Sequence, residues 1–196
     1  MRIVLRSVLA VMFVAGLGGV ALAEEVENPI YAAWAKQKVG TTVTYKSVSQ
    51  STGTAATEMP VTETTRTLKE VKPNAVVLEV ISQMGQGGRT MTVPARTVEI
   101  PAKIDKEHMG LPAELFARAQ AEVKDVKEGK ESLALNGKNY NASTRECTLV
   151  TNAGMQMTSH VKVWYSADVP GGFLKSETKT EAPRASTTTV TLESVK

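Results

Sequence analysis

Lys130 to Val150 reads KESLALNGKNYNASTRECTLV, and its centre decides how the chain is built. Asn136-Gly137 is the dipeptide best suited to a two-residue turn whose central residues both take positive φ, so the flanking segments pair as a hairpin. Downstream of it, MQMTSHVKVWYS (Met155–Ser166), GFLKSETKT (Gly172–Thr180) and STTTVTLESV (Ser186–Val195) each offer a short extended run, separated by short turns. Consecutive strands joined this way pair antiparallel, because parallel neighbours need a crossover of a dozen residues or more. The C-terminal third is therefore a meander.

The N-terminal half follows the same logic. VTETTRTLKEV (Val61–Val71) and AVVLEVISQ (Ala75–Gln83) flank Lys72-Pro73-Asn74, a turn, and form a second hairpin. The first of these strands is polar at most positions, which suits a solvated or edge location; the second is apolar on both faces, which suits a central strand. TMTVPARTVEI (Thr90–Ile100) is a further strand, and Pro94 places it at an edge or a bulge. Before them, TTVTYKSVS (Thr41–Ser49) is extended, with Val43 and Tyr45 on one face. Asn28-Pro29 opens a short helix, Asn28 as cap and Pro29 in the first turn, with Ile30, Trp34 and Lys38 at helical spacing and Gly40 placed to end it. A second short helix is expected over LPAELFARAQAEV (Leu111–Val123), where Leu111, Leu115, Ala119 and Val123 recur every fourth residue. The expected fold class is α+β: a mostly antiparallel β meander of about nine strands, a curved sheet or half-barrel, with both helices packed on it.

The N-terminus reads as an address. Arg2 and Arg6 precede an uncharged apolar run, Val8–Val20, and Ala21-Leu22-Ala23 precedes Glu24. A basic start, a short apolar core and a small-x-small site make a secretory signal peptide over residues 1–23, leaving 24–196 as a single exported domain. The apolar run is shorter than the roughly 20 residues a spanning helix needs, so no membrane span is expected after processing. Glu24 rather than cysteine follows the site, so a lipoprotein is not expected. The expected location is periplasmic or secreted. Without Arg2 and Arg6, the 23 basic side chains fall to 21 against 20 acidic ones, and Lys and Glu are interspersed. Nucleic acid, which requires clustered uncompensated cations, is not an expected partner. Cys147 is the only cysteine, so no intrachain disulfide can form, and a buried thiol is expected.

Catalytic and cofactor signatures fail on spacing. MGQGGRT (Met84–Thr90) has Thr90 where a dinucleotide loop needs its third glycine, and a strand follows instead of a helix. In KVWYSADVPGGFLKSETK (Lys162–Lys179), Pro170-Gly171-Gly172 reads as a corner, with Pro170 presetting φ and Gly171 supplying positive φ. His108 and His160, the two histidines, lack metal-ligand spacing, although Asp105, Glu107 and His108 are grouped in DKEHMG. Cys147 and His160 fall on neighbouring strands but have no orienting partner in sequence. No cofactor, metal or enzymatic activity is expected.

Three segments resemble a group of exported bacterial proteins to which no activity is attached. They are WAxxKxGxxVxY at Trp34–Tyr45, GKExL…GKxY at Gly129–Tyr140, and WYSxxVPGGxxK at Trp164–Lys175. A helix on a long curved antiparallel meander is also similar to the half-barrel of the lipoprotein-localisation carriers (LolA/LolB-type). That likeness implies a fold and carries no site residues.

The expected function is an exported, non-enzymatic binding protein for an apolar, lipid-like ligand or a protein partner on one face of the sheet. The alternative is a structural or interaction module of the cell envelope with no small ligand. Trp34, Trp164 and Phe173, the large aromatics at the helix–sheet junction and the corner, are read first as core residues that pin the helix to the sheet, and otherwise as the binding residues of a mouth where apolar chains enter. The N-terminal helix is expected to cover Trp164, and a bound fatty acid or acylated peptide to shift tryptophan emission to the blue.

Overall fold

The computed structural model describes residues 25–51, 61–86, 89–109, 122–152, 156–181 and 185–196. The signal segment and the second expected helix, but for Glu122 and Val123, lie outside them. Along the chain run β1 (Glu25–Glu27), α1 (Pro29–Ala35), β2 (Thr42–Ser51), β3 (Val61–Val71), β4 (Ala75–Gln86), β5 (Arg89–Pro101) and β6 (Lys103–Asp105). A single 3₁₀ turn (Lys106–His108) precedes β7 (Glu122–Leu135), β8 (Lys138–Asn152), β9 (Gln156–Tyr165), β10 (Phe173–Thr180) and β11 (Ser186–Val195).

Nine strands form one antiparallel sheet in the order β5-β4-β3-β2-β11-β10-β9-β8-β7, and β1 pairs with β6 in a small ribbon beside it. Two meanders, β2–β5 and β7–β11, are thus joined by the pairing of β2 with β11, and β5 and β7 are the open edges. The class is α+β with a curved, unclosed sheet, as the alternation and turn signals require. The described strands number eleven instead of nine because two three-residue ones, β1 and β6, are too short to carry a pattern.

Asn136 (φ 51°) and Gly137 (φ 75°) make the expected β7–β8 turn. The Asn136 amide donates to the carbonyls of Leu192 (2.8 Å) and Glu193 (3.0 Å). β11 lies three strands from β8, and its ladder shifts register between Leu192 and Ser194, so this hairpin folds back onto a bulge. Pro94 sits on the edge strand β5, where the β4–β5 register shifts, in agreement with its missing N–H.

Of the two locations expected for β3, solvated or at an edge, the edge is ruled out. The strand lies inside the sheet, between β2 and β4. Its polarity reflects cross-strand hydroxyl pairs: Thr67 with Thr42 (3.2 Å), Thr65 with Thr44 (3.3 Å) and Thr64 with Ser82 (3.1 Å). Such pairs satisfy polar side chains within a sheet and contribute roughly 0.2–1 kcal/mol each.

Residue register divides one face into two zones. Near α1 it is apolar and buried, with Val43, Tyr45, Leu68, Leu78, Val163, Leu174 and Leu192 in one cluster with the fully buried Trp34. Farther out the same face carries hydroxyls, with Ser49 bonded to Thr188 (2.9 Å) and Ser159 to Thr180 (3.0 Å).

α1 is seven residues long, too short to persist alone, and is held by its ends. Asn28 Oδ1 accepts from the Ile30 N–H (3.0 Å), its Nδ2 donates to the Pro101 carbonyl (2.9 Å), and its N–H donates to Ala102 (2.8 Å). The Tyr31 hydroxyl reaches the Lys72 and Pro73 carbonyls at 3.0 and 3.1 Å. The helix ends at Ala35, before Gly40, whose N–H donates to the Leu68 carbonyl (2.8 Å) and turns the chain into β2.

Candidate functional site, a cleft between the helix and the glycine corner

The β9–β10 connection is a compact knot. The Ser166 N–H donates to the Gly172 carbonyl (2.7 Å) and the Gly172 N–H to Val169 (3.0 Å), while Gly171 and Gly172 take φ of 73° and 69°. Gly171 is a glycine for two reasons: its φ strains any other residue, and a β-carbon there would stand 2.5 Å from Trp34 Nε1. The corner thus packs its backbone directly on the buried indole of α1. The Trp34 N–H has no hydrogen-bond partner among the described residues.

Beside this contact a cleft of about 380 Å³ opens between α1 and the sheet. Pro29, Ile30 and Ala33 of α1 form one wall, and Tyr165 and Phe173 face them across the corner. Asn141, Ser143 and Asp168 add polar groups. β8 supplies Ser143 directly opposite Tyr165, and Phe173 pairs with Tyr165 from the other side, so three adjacent strands contribute. The Phe173 ring packs edge-on against Tyr45, with centroids 5.2 Å apart, which ties the cleft floor to the core.

Electrostatically the cleft is uneven. Asp168 Oδ2 accepts from the Ser166 hydroxyl (3.1 Å), which in turn accepts from the Asp168 N–H (3.3 Å). Burial pushes the Tyr165 phenol above its ordinary range and Glu128 adds to this, against Arg145, so the group stays a neutral hydroxyl at neutral pH. Arg145, 3% exposed, pairs with Glu128 (3.4 Å) and donates to the Lys106 carbonyl (3.3 Å). Its charge is committed to holding the 3₁₀ turn on β8.

The three aromatics expected in the site are placed differently. Phe173 lines the cleft. Trp34 stands behind its wall, against Gly171. Trp164, next to Tyr165 on β9, points to the opposite face of the sheet. There the ammonium groups of Lys162 and Lys175 lie 4.9 and 5.0 Å from its ring centroid, and its N–H donates to Glu131 (3.0 Å). These side chains cover Trp164 in place of α1, because long Lys stems shield an aromatic face as well as a helix does. Both tryptophans are already buried, so a ligand has no exposed indole to shift to the blue.

Cys147 is buried on β8, and burial pushes its thiol up against the opposing influence of Arg145. Its partner across the ladder is Val161, whereas His160 faces outward, with its ring nitrogens 3.3 Å from the Thr148 hydroxyl and 3.1 Å from Glu181. Thiol and imidazole thus lie on opposite faces. Asp105 and His108 come within 3.6 Å, and among the described residues no third His, Cys, Asp or Glu joins them.

Sequence pattern alone gives Tyr165, Ser143 and Asp168 no place in a binding site. The aromatic pair before the corner marks Tyr165, but nothing local brings Ser143 beside it; strand pairing does. No protein-family model and no curated protein matches the chain in sequence.

Proposed function

We propose that this is an exported, non-enzymatic binding protein that holds an apolar, lipid-like ligand in the cleft between α1 and the glycine corner. The cleft itself carries the reading. It is concave, walled by Ile30, Ala33, Tyr165 and Phe173, with polar groups from Asn141, Ser143, Ser166 and Asp168, and placed where packed elements meet. Its 380 Å³ lies within the roughly 300–1,000 Å³ range of small-molecule sites. The unclosed antiparallel sheet with a helix against it accords with the likeness to lipoprotein-localisation carriers, and the basic-apolar-AxA leader supports a periplasmic or secreted location. No described helix is long and apolar enough to cross a membrane.

Titration of the mature chain with 1-octanol tests the reading, because a neutral head isolates the apolar contribution. Calorimetry is expected to give saturable binding and a rise in Tm, as selective binding to the native state requires. Ser143→Phe, which fills the cleft, is expected to abolish both while remaining folded. Absence of saturable binding to the parent chain would favour the structural-module alternative.

A further inference from the structure

Asp168 is the only charged side chain among the cleft's described lining residues. Its Oδ2 is taken by the Ser166 hydroxyl, and Asp168 forms no ion pair with any described cation. Arg145, electrostatically coupled to Tyr165 in the cleft wall, is already bound to Glu128 and the Lys106 carbonyl. Lys162 and Lys175 are stacked on Trp164, on the far face. An anionic head placed in this cleft would meet a carboxylate and no free cation among the described residues. A cationic head would find an acceptor beside an apolar wall.

We propose that the cleft selects a single-chain amphiphile with a protonated amine head, which Asp168 receives at the rim while Ile30, Tyr165 and Phe173 hold the chain. This rests on the reading of the cleft as a ligand site. The volume limits the chain: 380 Å³ is near the small end for ligand pockets and suits one short chain rather than a multi-acyl lipid. Because Asp168 is exposed, the head-group preference is modest, about fivefold for amine over alcohol, the effect of a single solvent-screened pair.

Three probes of equal chain length, n-octylamine, 1-octanol and n-octanoate, separate the two claims when titrated calorimetrically into the mature chain at pH 7. The expected order is amine, then alcohol, then carboxylate. Asp168→Asn keeps an acceptor for the Ser166 hydroxyl and is expected to erase the amine preference, so that the variant binds octylamine no more tightly than it binds octanol. Raising ionic strength to about 1 M, where screening is nearly complete beyond a few ångströms, is expected to shrink the amine preference and spare octanol. Equal binding of all three probes, or an amine preference that survives Asp168→Asn, overturns the head-group assignment and leaves the cleft as a ligand site. Failure of all three to bind overturns both.

Discussion

Gly171 and Gly137 share a positive φ, 73° and 75°, yet their surroundings differ, and the difference is measurable. A β-carbon at Gly137 meets nothing within 4 Å, whereas at Gly171 it meets Trp34 at 2.5 Å. Gly137→Ala is therefore expected to cost about 1–2 kcal/mol of backbone strain. Gly171→Ala is expected to add about 1–3 kcal/mol of overpacking. Thermal denaturation of the two variants checks this, and equal losses would mean that the corner does not bear on α1. Cys147 offers a second check. It is buried and its thiol is pushed up by burial, so thiol reagents are expected to modify it slowly until the chain unfolds, and Cys147→Ala to cost about 1–2 kcal/mol. Rapid labelling of the native protein would contradict its burial. These residues were legible in advance because their constraint is local: a Pro-Gly-Gly turn, a lone cysteine in a strand. Asp168 and Ser143 were not, because their meaning comes from what strand pairing and the corner place beside them.

The edge strand β7 is bound into the sheet by more than its ladder to β8. Glu131 reaches across to β9, accepting from Lys162 and from the Trp164 N–H. The Lys162 hydrogen bond, and then that of Trp164, hold the Glu131 carboxyl below its ordinary range. A depressed folded-state pKa contributes stability above the ordinary carboxylate value of about 4.3, and that contribution is lost as pH falls through the lowered folded value. Glu131→Gln is thus expected to lower the urea midpoint at pH 7, with the gap to the parent chain closing in acid. A gap that stays constant between pH 7 and pH 3 would deny the linkage. At the turn of the same hairpin, Asn136→Gly keeps the turn conformation but removes the amide bonded to Leu192 and Glu193. A loss of about 1–2 kcal/mol is expected from those two hydrogen bonds, measured by chemical denaturation. Most strands and the capped start of α1 were visible from period and turn residues. The place of β3 was not, since alternating threonines look the same whether they face water or pair with hydroxyls on neighbouring strands.

The described residues form two antiparallel meanders closed against each other by the β2–β11 pairing, with the short helix α1 fixed over their shared apolar zone. No run of sequence encodes that closure, because β2 and β11 lie at opposite ends of the domain and are matched only by length, register and face. The same long-range closure builds the cleft, which draws on α1, β8 and the corner between β9 and β10. The binding reading therefore stands on the assembled molecule and not on any motif. The most direct test is to map a ligand onto it. In ¹H–¹⁵N spectra of the mature chain titrated with 1-octanol, saturable shifts are expected to concentrate at Ile30, Ala33, Ser143, Tyr165 and the Gly171-Gly172 amides, sparing the hydroxyl zone around Ser49 and Thr188. Shifts confined to the β5 or β7 edges, or none at saturating octanol, would contradict the cleft as the binding site.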